Sequence, residues 1–215
     1  MSEKATAQSD KIYSVEEFLR SERDNSRKPE HTDGKILSTD SSNRISNLIA
    51  TNAVIAVGSR LQGQKSEIYV NDMCVKLTDK RFAFPNVVLV SGEPSFTDKK
   101  SDVLLNPTVV VEIFSKDTSF NDKTEKLECY LAMDSIREYI LVKEDEMRVD
   151  HYAKQNAKQW VYRIYNQRDD VISIEAVNCK ISVAEIYAQV KFGQAETRTQ
   201  PETKTQPETK TQAAT

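Results

Sequence analysis

The run Val109-Val110-Val111-Glu112-Ile113-Phe114-Ser115 constrains this chain more than any other stretch, because it sets one ionisable carboxylate inside an otherwise apolar, strand-like segment. A carboxylate taken out of water without compensation shifts its pKa and neutralises, or it binds a cation. Glu112 therefore reads as a metal ligand or a catalytic group, unless the run is an edge strand whose alternate face is wet. The run itself leaves both readings open, and its surroundings weigh between them.

What can be built around that glutamate is bounded by 215 residues, of which 38% are hydrophobic, enough for one compact domain plus a tail. Lys and Arg number 30 against 33 Asp and Glu, and the net charge of -3 exerts no global pull on nucleic acid. Any contact with a polyanion must come from a local patch. Near the N-terminus, Ile12 and Val15 lie among Lys4, Asp10, Lys11 and Glu16, which gives no signal-peptide core. No apolar run approaches the ~20 residues of a membrane span, so the expected location is cytoplasmic, with no membrane partner. Cys74, Cys129 and Cys179 are far apart and lack C-x-x-C spacing, which favours three buried, reduced thiols over disulfides or a zinc site. With five glycines, no Walker-type loop and no G-x-S-x-G, nucleotide cradling and α/β-hydrolase chemistry are disfavoured.

Local signals divide the chain into elements. Ser14 and Glu17 form a capping box that opens a helix through about Arg27, ended by Pro29. Asp33-Gly34 marks a hairpin turn. A second helix is predicted from Ser41 or Ser42, with Ile45, Leu48, Ile49 and Ile55 at helical spacing and Leu61 closing the pattern before Gly63. Ile68 and Val70, then Met73, Val75 and Leu77, alternate in opposite phase, as a bulge at Asn71-Asp72 would produce. Phe82 to Val90 reads as one strand and Ser91 to Asp102 as a loop. After the Glu112 strand, Asp117 to Ser119 can cap a helix carrying Leu127, Tyr130 and Leu131 on one face. Strands follow at Arg137 to Lys143, Arg148 to Tyr152, Trp160 to Tyr165 and Val171 to Ala176. A second capping box, Ser182 with Glu185, starts a last helix that buries Val183, Ile186, Tyr187 and Val190. Residues 1–12 read as a flexible N-terminus, 13–192 as the folded domain and 193–215 as a disordered tail in which Gln-Pro-Glu-Thr-Lys-Thr occurs at Gln200 and again at Gln206.

The candidate chemistry lies in ordered segments. Phe84-Pro85-Asn86 leads a strand, Glu112 sits in the next, and the helix behind them carries Asp122, Lys126 and Tyr130 before Arg137-Glu138-Tyr139. Two neighbouring strands presenting Asn86 and Glu112, with Lys126 aimed at them, outline a metal-dependent phosphodiesterase: carboxylates hold Mg²⁺, and a lysine orients water or steadies developing charge. A plain helix ion pair also explains Asp122 and Lys126 at i, i+4. The only histidines, His31 and His151, read as turn and strand packing positions. Trp160, Tyr162 and Tyr165 read as sheet packing ahead of base stacking. Lys76, Lys80, Arg81, Lys99 and Lys100 form the one basic concentration near the site, explained equally by phosphate contacts or a solvated loop.

Taken in order, these segments resemble the Uma-two family of restriction endonucleases, a bacterial group within the PD-(D/E)xK nuclease superfamily, from Tyr13 to about Val190. The likeness is carried by Glu30, Asp33 and Gly34 as an E-x-x-D-G element, by Glu112-Ile113-Phe114-Ser115-Lys116-Asp117-Thr118, by Asp122, Lys126 and Tyr130, and by Glu138-Tyr139 before an apolar strand. It implies a restriction-endonuclease-like α/β fold, a mixed sheet flanked by helices. It also implies DNA as substrate and Mg²⁺ as cofactor, with Mn²⁺ a substitute. Glu112 would be the metal ligand, Lys126 the water- or phosphate-stabilising group and Glu30 an auxiliary acid. The chain departs from the family where Asn86 replaces the aspartate after the proline, so the second metal ligand is neutral. Phe114 holds the place of the E-x-K lysine, which Lys126 is thought to replace, and Ser42-Asn43-Arg44 lacks a family histidine. The expected function is a DNA endonuclease, degenerate or active, with a homodimer as one possible assembly. The alternative is a catalytically silent nucleic-acid-binding or protein-interaction module on the same fold.

Overall fold

An apolar run without alternation is what a strand covered on both faces requires. In the structure, a computed structural model describing residues 14, 17–18, 30–32, 35–37, 43–115 and 120–192, the Glu112 run is such a strand. It forms β8 (Val109–Phe114) and lies inside a sheet, hydrogen-bonded on one side to β6 (Val87–Ser91) and on the other to β9 (Glu138–Lys143). The wet-edge reading of the run is thereby excluded.

The sheet has six strands, completed by β3 (Ser66–Val70) beyond β6 and by β10 (Val149–Asn156) and β11 (Gln159–Tyr165) beyond β9. Only β8 and β9 pair in parallel; the other neighbours are antiparallel. A parallel pair needs a crossover, and α2 (Phe120–Ala132) supplies it. A five-stranded sheet is built from β1 (Glu30–Thr32), β2 (Lys35–Leu37), β4 (Cys74–Thr78), β5 (Arg81–Ala83) and β7 (Val103–Leu104), and β12 (Val171–Ile174) pairs with β13 (Cys179–Ser182). The mixed sheet flanked by a few helices agrees with the α/β restriction-endonuclease-like expectation.

The two faces of the central sheet bury different partners. Val87, Leu89, Val109, Val111, Ile140 and Val142 pack against α1 (Arg44–Gly58) and the β12–β13 ribbon with its short α3 (Val183–Ile186). Their alternates, Val88, Val90, Val110, Tyr139 and Leu141, meet Tyr130 of α2 and Val75, Leu77, Ala83 and Leu104 of the smaller sheet. Glu112 alternates with Val111 and so belongs to the second face.

Several elements differ from the sequence reading for local reasons. Helix α1 begins after Asn43, whose Oδ1 accepts from the backbone of Ile45 at 2.7 Å and Ser46 at 3.0 Å, rather than at Ser41 or Ser42. Its buried face runs through Ser46, Ile49, Ala50, Ala53, Ala56 and Val57, and Ile55, which points away from that face, is 63% exposed. Met73 to Leu77 is not a bulged continuation of the preceding strand. The chain leaves β3 for β4 of the other sheet through Asn71, held at φ 58°. Likewise Phe82 to Val90 is two strands in two sheets, β5 and β6, split at Phe84-Pro85-Asn86, where proline cannot donate to a ladder. The predicted strand to Ala176 ends at Ile174 in a single 3₁₀ turn, and β13 follows it. Both capping boxes are formed, Glu17 N to Ser14 Oγ at 3.1 Å and Glu185 N to Ser182 Oγ at 3.2 Å. Apart from residues 17–18, the body of the first predicted helix lies outside the described residues. The hairpin around Asp33-Gly34 is present as the pairing of β1 with β2, with the turn itself outside them. Cys74 and Cys179 are buried, whereas Cys129 is only partly covered.

Candidate active site

Two strand-to-strand crossings create the site. The chain passes between sheets at Asn71 and again at Pro85-Asn86, and the crossings are tied together: Asn71 N donates to Asn86 O at 2.9 Å, and Asn86 Nδ2 donates to Asn71 Oδ1 at 3.2 Å. The β6–β8 register pairs Val87 with Val111, so the next step of the ladder brings Asn86 alongside Glu112. The Asn86 side chain is tied to the backbone of β8 one residue further on, with Ile113 N donating to Asn86 Oδ1 at 2.7 Å. Asn86, the residue before β6, thus lies alongside Glu112 of β8. The Asn86 carboxamide, however, is already used at both ends as a clasp between β3, β6 and β8.

Glu112 is 9% exposed and accepts from the Tyr130 hydroxyl at 3.2 Å. Tyr130 is held in turn: it is fully buried and stacks on Tyr139 of β9 with ring centroids 4.9 Å apart. A neutral hydroxyl on a carboxylate stabilises its charged form without cancelling the charge. Lys126 lies one helical turn before Tyr130 on the same face of α2 and is half-buried. The Arg81 guanidinium fixes the helix at that level, donating to Glu125 Oε2 at 2.7 Å and to Cys129 Sγ at 3.1 Å. Asp122 lies in the first turn of α2, and Asp117 and Thr118 are outside the described residues. Glu30 opens β1 in the five-stranded sheet, next to β5, whose chain continues into Asn86.

One lysine was missed by reading the sequence. The parallel β8–β9 register sets Lys143 beside Phe114, the residue standing where an E-x-K motif has lysine. Lys143 alternates with Val142 and therefore shares the Glu112 face, where it pairs with Glu146. Nothing local announces it, because the parallel register is fixed by a crossover helix and not by a turn. The basic concentration resolves partly into ion pairs, Lys76 with Asp79 at 2.8 Å and Arg81 with Glu125, leaving Lys99 and Lys100 on an exposed loop. Among the described residues no three His, Cys, Asp or Glu side chains gather as a metal-binding group. None of the described helices is long and apolar enough to cross a membrane.

Comparison with known proteins gives this geometry its context. The chain is 27% identical over 152 residues to the uncharacterized protein sll1609 of Synechocystis sp., covering 70% of this chain and 86% of that one. It is 25% identical over 181 residues to slr1290 of the same organism, also uncharacterized, covering 83% and 93%. Among solved structures it resembles a "putative nuclease belonging to DUF820" from Anabaena variabilis, with a TM-score of 0.65 and 16% identity over 81% of this chain and 97% of the other, a likeness of fold. The sequence profile of the family Uma2, described as "Putative restriction endonuclease", matches residues 15–184. With most of its length inside that match, the chain belongs to the Uma2 family.

Proposed function

We propose that this protein is a divalent-metal-dependent DNA endonuclease that hydrolyses phosphodiester bonds, with its site at the C-terminal end of β8. One observation carries the reading: a buried carboxylate, Glu112, on the strand next to Asn86, in a member of a nuclease family. Mg²⁺ keeps several waters and is commonly held by one or two carboxylates plus substrate phosphates, which one carboxylate and one amide oxygen meet at the lower limit. Glu112 and Asn86 would hold it, and the ion would polarise the scissile phosphate and lower the pKa of a bound water. Mn²⁺ would serve in its place. Tyr130 orients the Glu112 carboxylate. Lys126 steadies the phosphate or the attacking water, and Lys143, released from Glu146, could do so from the strand. Glu30 acts as an auxiliary acid. The protein works in the cytoplasm, and a homodimer would present two such sites to a duplex.

A second reading rests on the Asn86 clasp. An asparagine that accepts from Ile113 and donates to Asn71 serves the fold as it stands, and a chain that has exchanged its metal-binding aspartate for that clasp would be a silent nucleic-acid-binding or interaction module. Plasmid cleavage in Mg²⁺ and in Mn²⁺ by the natural protein, Asn86→Asp and Glu112→Gln separates the two. The endonuclease reading expects Asn86→Asp to cleave roughly tenfold faster or more than the natural protein and Glu112→Gln to be inert. DNA binding without cleavage by Asn86→Asp in either metal would establish the silent module.

A further inference from the structure

At the end of β8 and β9 remote from Glu112, a polar cavity of about 550 Å³ opens beside Thr108, Ser135, Arg137 and Lys154, with Glu138 and Glu175 also in its wall. Its cations are placed unusually. The β9–β10 ladder pairs Tyr139 with Tyr152 and Glu138 with Ala153, and Lys154 N then donates to Arg137 O at 2.8 Å, so Arg137 and Lys154 stand directly opposite each other. Like charges at such positions repel. Among the described residues neither is in an ion pair. The Lys154 ammonium instead donates to Met133 O at 3.4 Å and lies 5.5 Å from the Trp160 ring centroid.

The same wall holds a donor without an acceptor. Ser135 Oγ is buried and has no protein hydrogen-bond partner, so its donor is open to a group in the cavity. The carboxylates of the wall do not answer these groups. Both Glu138 oxygens are engaged, Oε2 with His151 Nε2 at 2.6 Å and Oε1 by Ala176 N at 2.8 Å, and Glu175, exposed like Arg137, is in no ion pair among the described residues. Two opposed cations and an unsatisfied hydroxyl complement an oxyanion with several acceptor oxygens, and the cavity has the volume of a small-molecule site.

We propose that this cavity binds a phosphate monoester, its oxygens taken by the Arg137 guanidinium, the Lys154 ammonium and the Ser135 hydroxyl turned about χ1. Three donors suit the three terminal oxygens of a phosphate better than the two of a carboxylate, and the acidic Glu175 disfavours a longer polyphosphate. The site stands at the opposite end of the strands from Glu112 and needs no metal.

Titration calorimetry and thermal shift on the full chain, in EDTA, with adenosine 5′-monophosphate, adenosine, inorganic phosphate and acetate as probes, test it. The monophosphate and phosphate should bind and raise the melting temperature, while adenosine and acetate should not. Arg137→Glu should abolish binding and raise the melting temperature of the free protein, since it replaces a repulsive cross-strand pair with an attractive one. Lys154→Met should also abolish binding, and Ser135→Ala should weaken it by about tenfold, the value of one hydrogen bond to a charged group. Absence of phosphate binding, equal binding of acetate or adenosine, or undiminished binding by both charge variants would overturn the assignment.

Discussion

Glu112 and Glu138 are buried in neighbouring strands of one sheet, and they are held in contrasting ways. Glu138 is 2% exposed, on the face that meets α1, and its two oxygens are matched by the His151 ring and the Ala176 backbone N–H. Glu112 is on the opposite face toward the other end of β8, and it accepts from a tyrosine hydroxyl carried by the same helix as Lys126. Burial alone therefore does not identify a functional carboxylate. The two differ in what meets them: an imidazole and a backbone amide from the core hold Glu138, whereas a phenol at the crossing of two sheets meets Glu112, the carboxylate of the proposed site.

The largest effect that would break this comparison is on folding. Glu138→Ala would leave the His151 ring, whose Nδ1 already lacks a partner, with no hydrogen bond at either nitrogen and would orphan Ala176 N. Each buried polar group left unsatisfied in this way costs about 1–3 kcal/mol, and this variant leaves two. Glu112→Gln keeps the shape and an acceptor for Tyr130, and should cost about 1 kcal/mol. Urea denaturation of both variants checks the contrast, and equal losses would make Glu112 a structural residue like Glu138.

The next effect is at Asn86. Aspartate keeps an oxygen for Ile113 N but loses the donor to Asn71 Oδ1 and sets a second carboxylate beside Glu112, so the metal-free variant should be less stable by about 1–3 kcal/mol. Bound Mg²⁺ reverses the sign of the interaction between the two carboxylates. Thermal shift should therefore show Mg²⁺ stabilising Asn86→Asp more than the natural protein, by RT ln(1 + [L]/Kd) in each case. Equal responses would remove Asn86 from any metal site.

Much of this arrangement was legible in the sequence, for reasons that also explain what was not. The run at Glu112, the two capping boxes and the order of elements from β8 to β11 rest on local patterns, and each appears where those patterns place it. The sheet crossings at Asn71 and Pro85 were illegible because alternation looks the same whether a chain continues its strand or changes sheets. The clasp role of Asn86 and the placement of Lys143 beside Phe114 depend on ladder register between segments far apart in the chain. His151 was read as a packing residue, and so it is, but its buried partner Glu138 lies 13 residues away across the β9–β10 pair, beyond any local signal.

The smallest effect concerns how the candidate-site end of the β9–β10 hairpin is held. Tyr187 reaches it from the end of α3, its hydroxyl 2.8 Å from the carbonyls of Lys143 and Arg148 and accepting from Arg148 N at 3.1 Å. Burial, the largest cause, raises the Tyr187 pKa well above the ordinary tyrosine value. The folded state thus resists ionisation that the unfolded chain permits. Its contribution is intact below the unfolded value of about 10 and is lost as pH rises above it. Tyr187→Phe should cost about 1 kcal/mol at neutral pH through the lost hydrogen bonds, yet its stability should fall less steeply than that of the natural protein above about pH 10. The flattening is partial, because Tyr152, Tyr162 and Tyr165 are also raised, chiefly by burial. Urea midpoints measured at neutral pH and in the alkaline range give both slopes. If they coincide, the phenol does not hold this end of the hairpin, and the contrast with the hydrogen-bonded clamp of Glu138 and His151 at the other end fails.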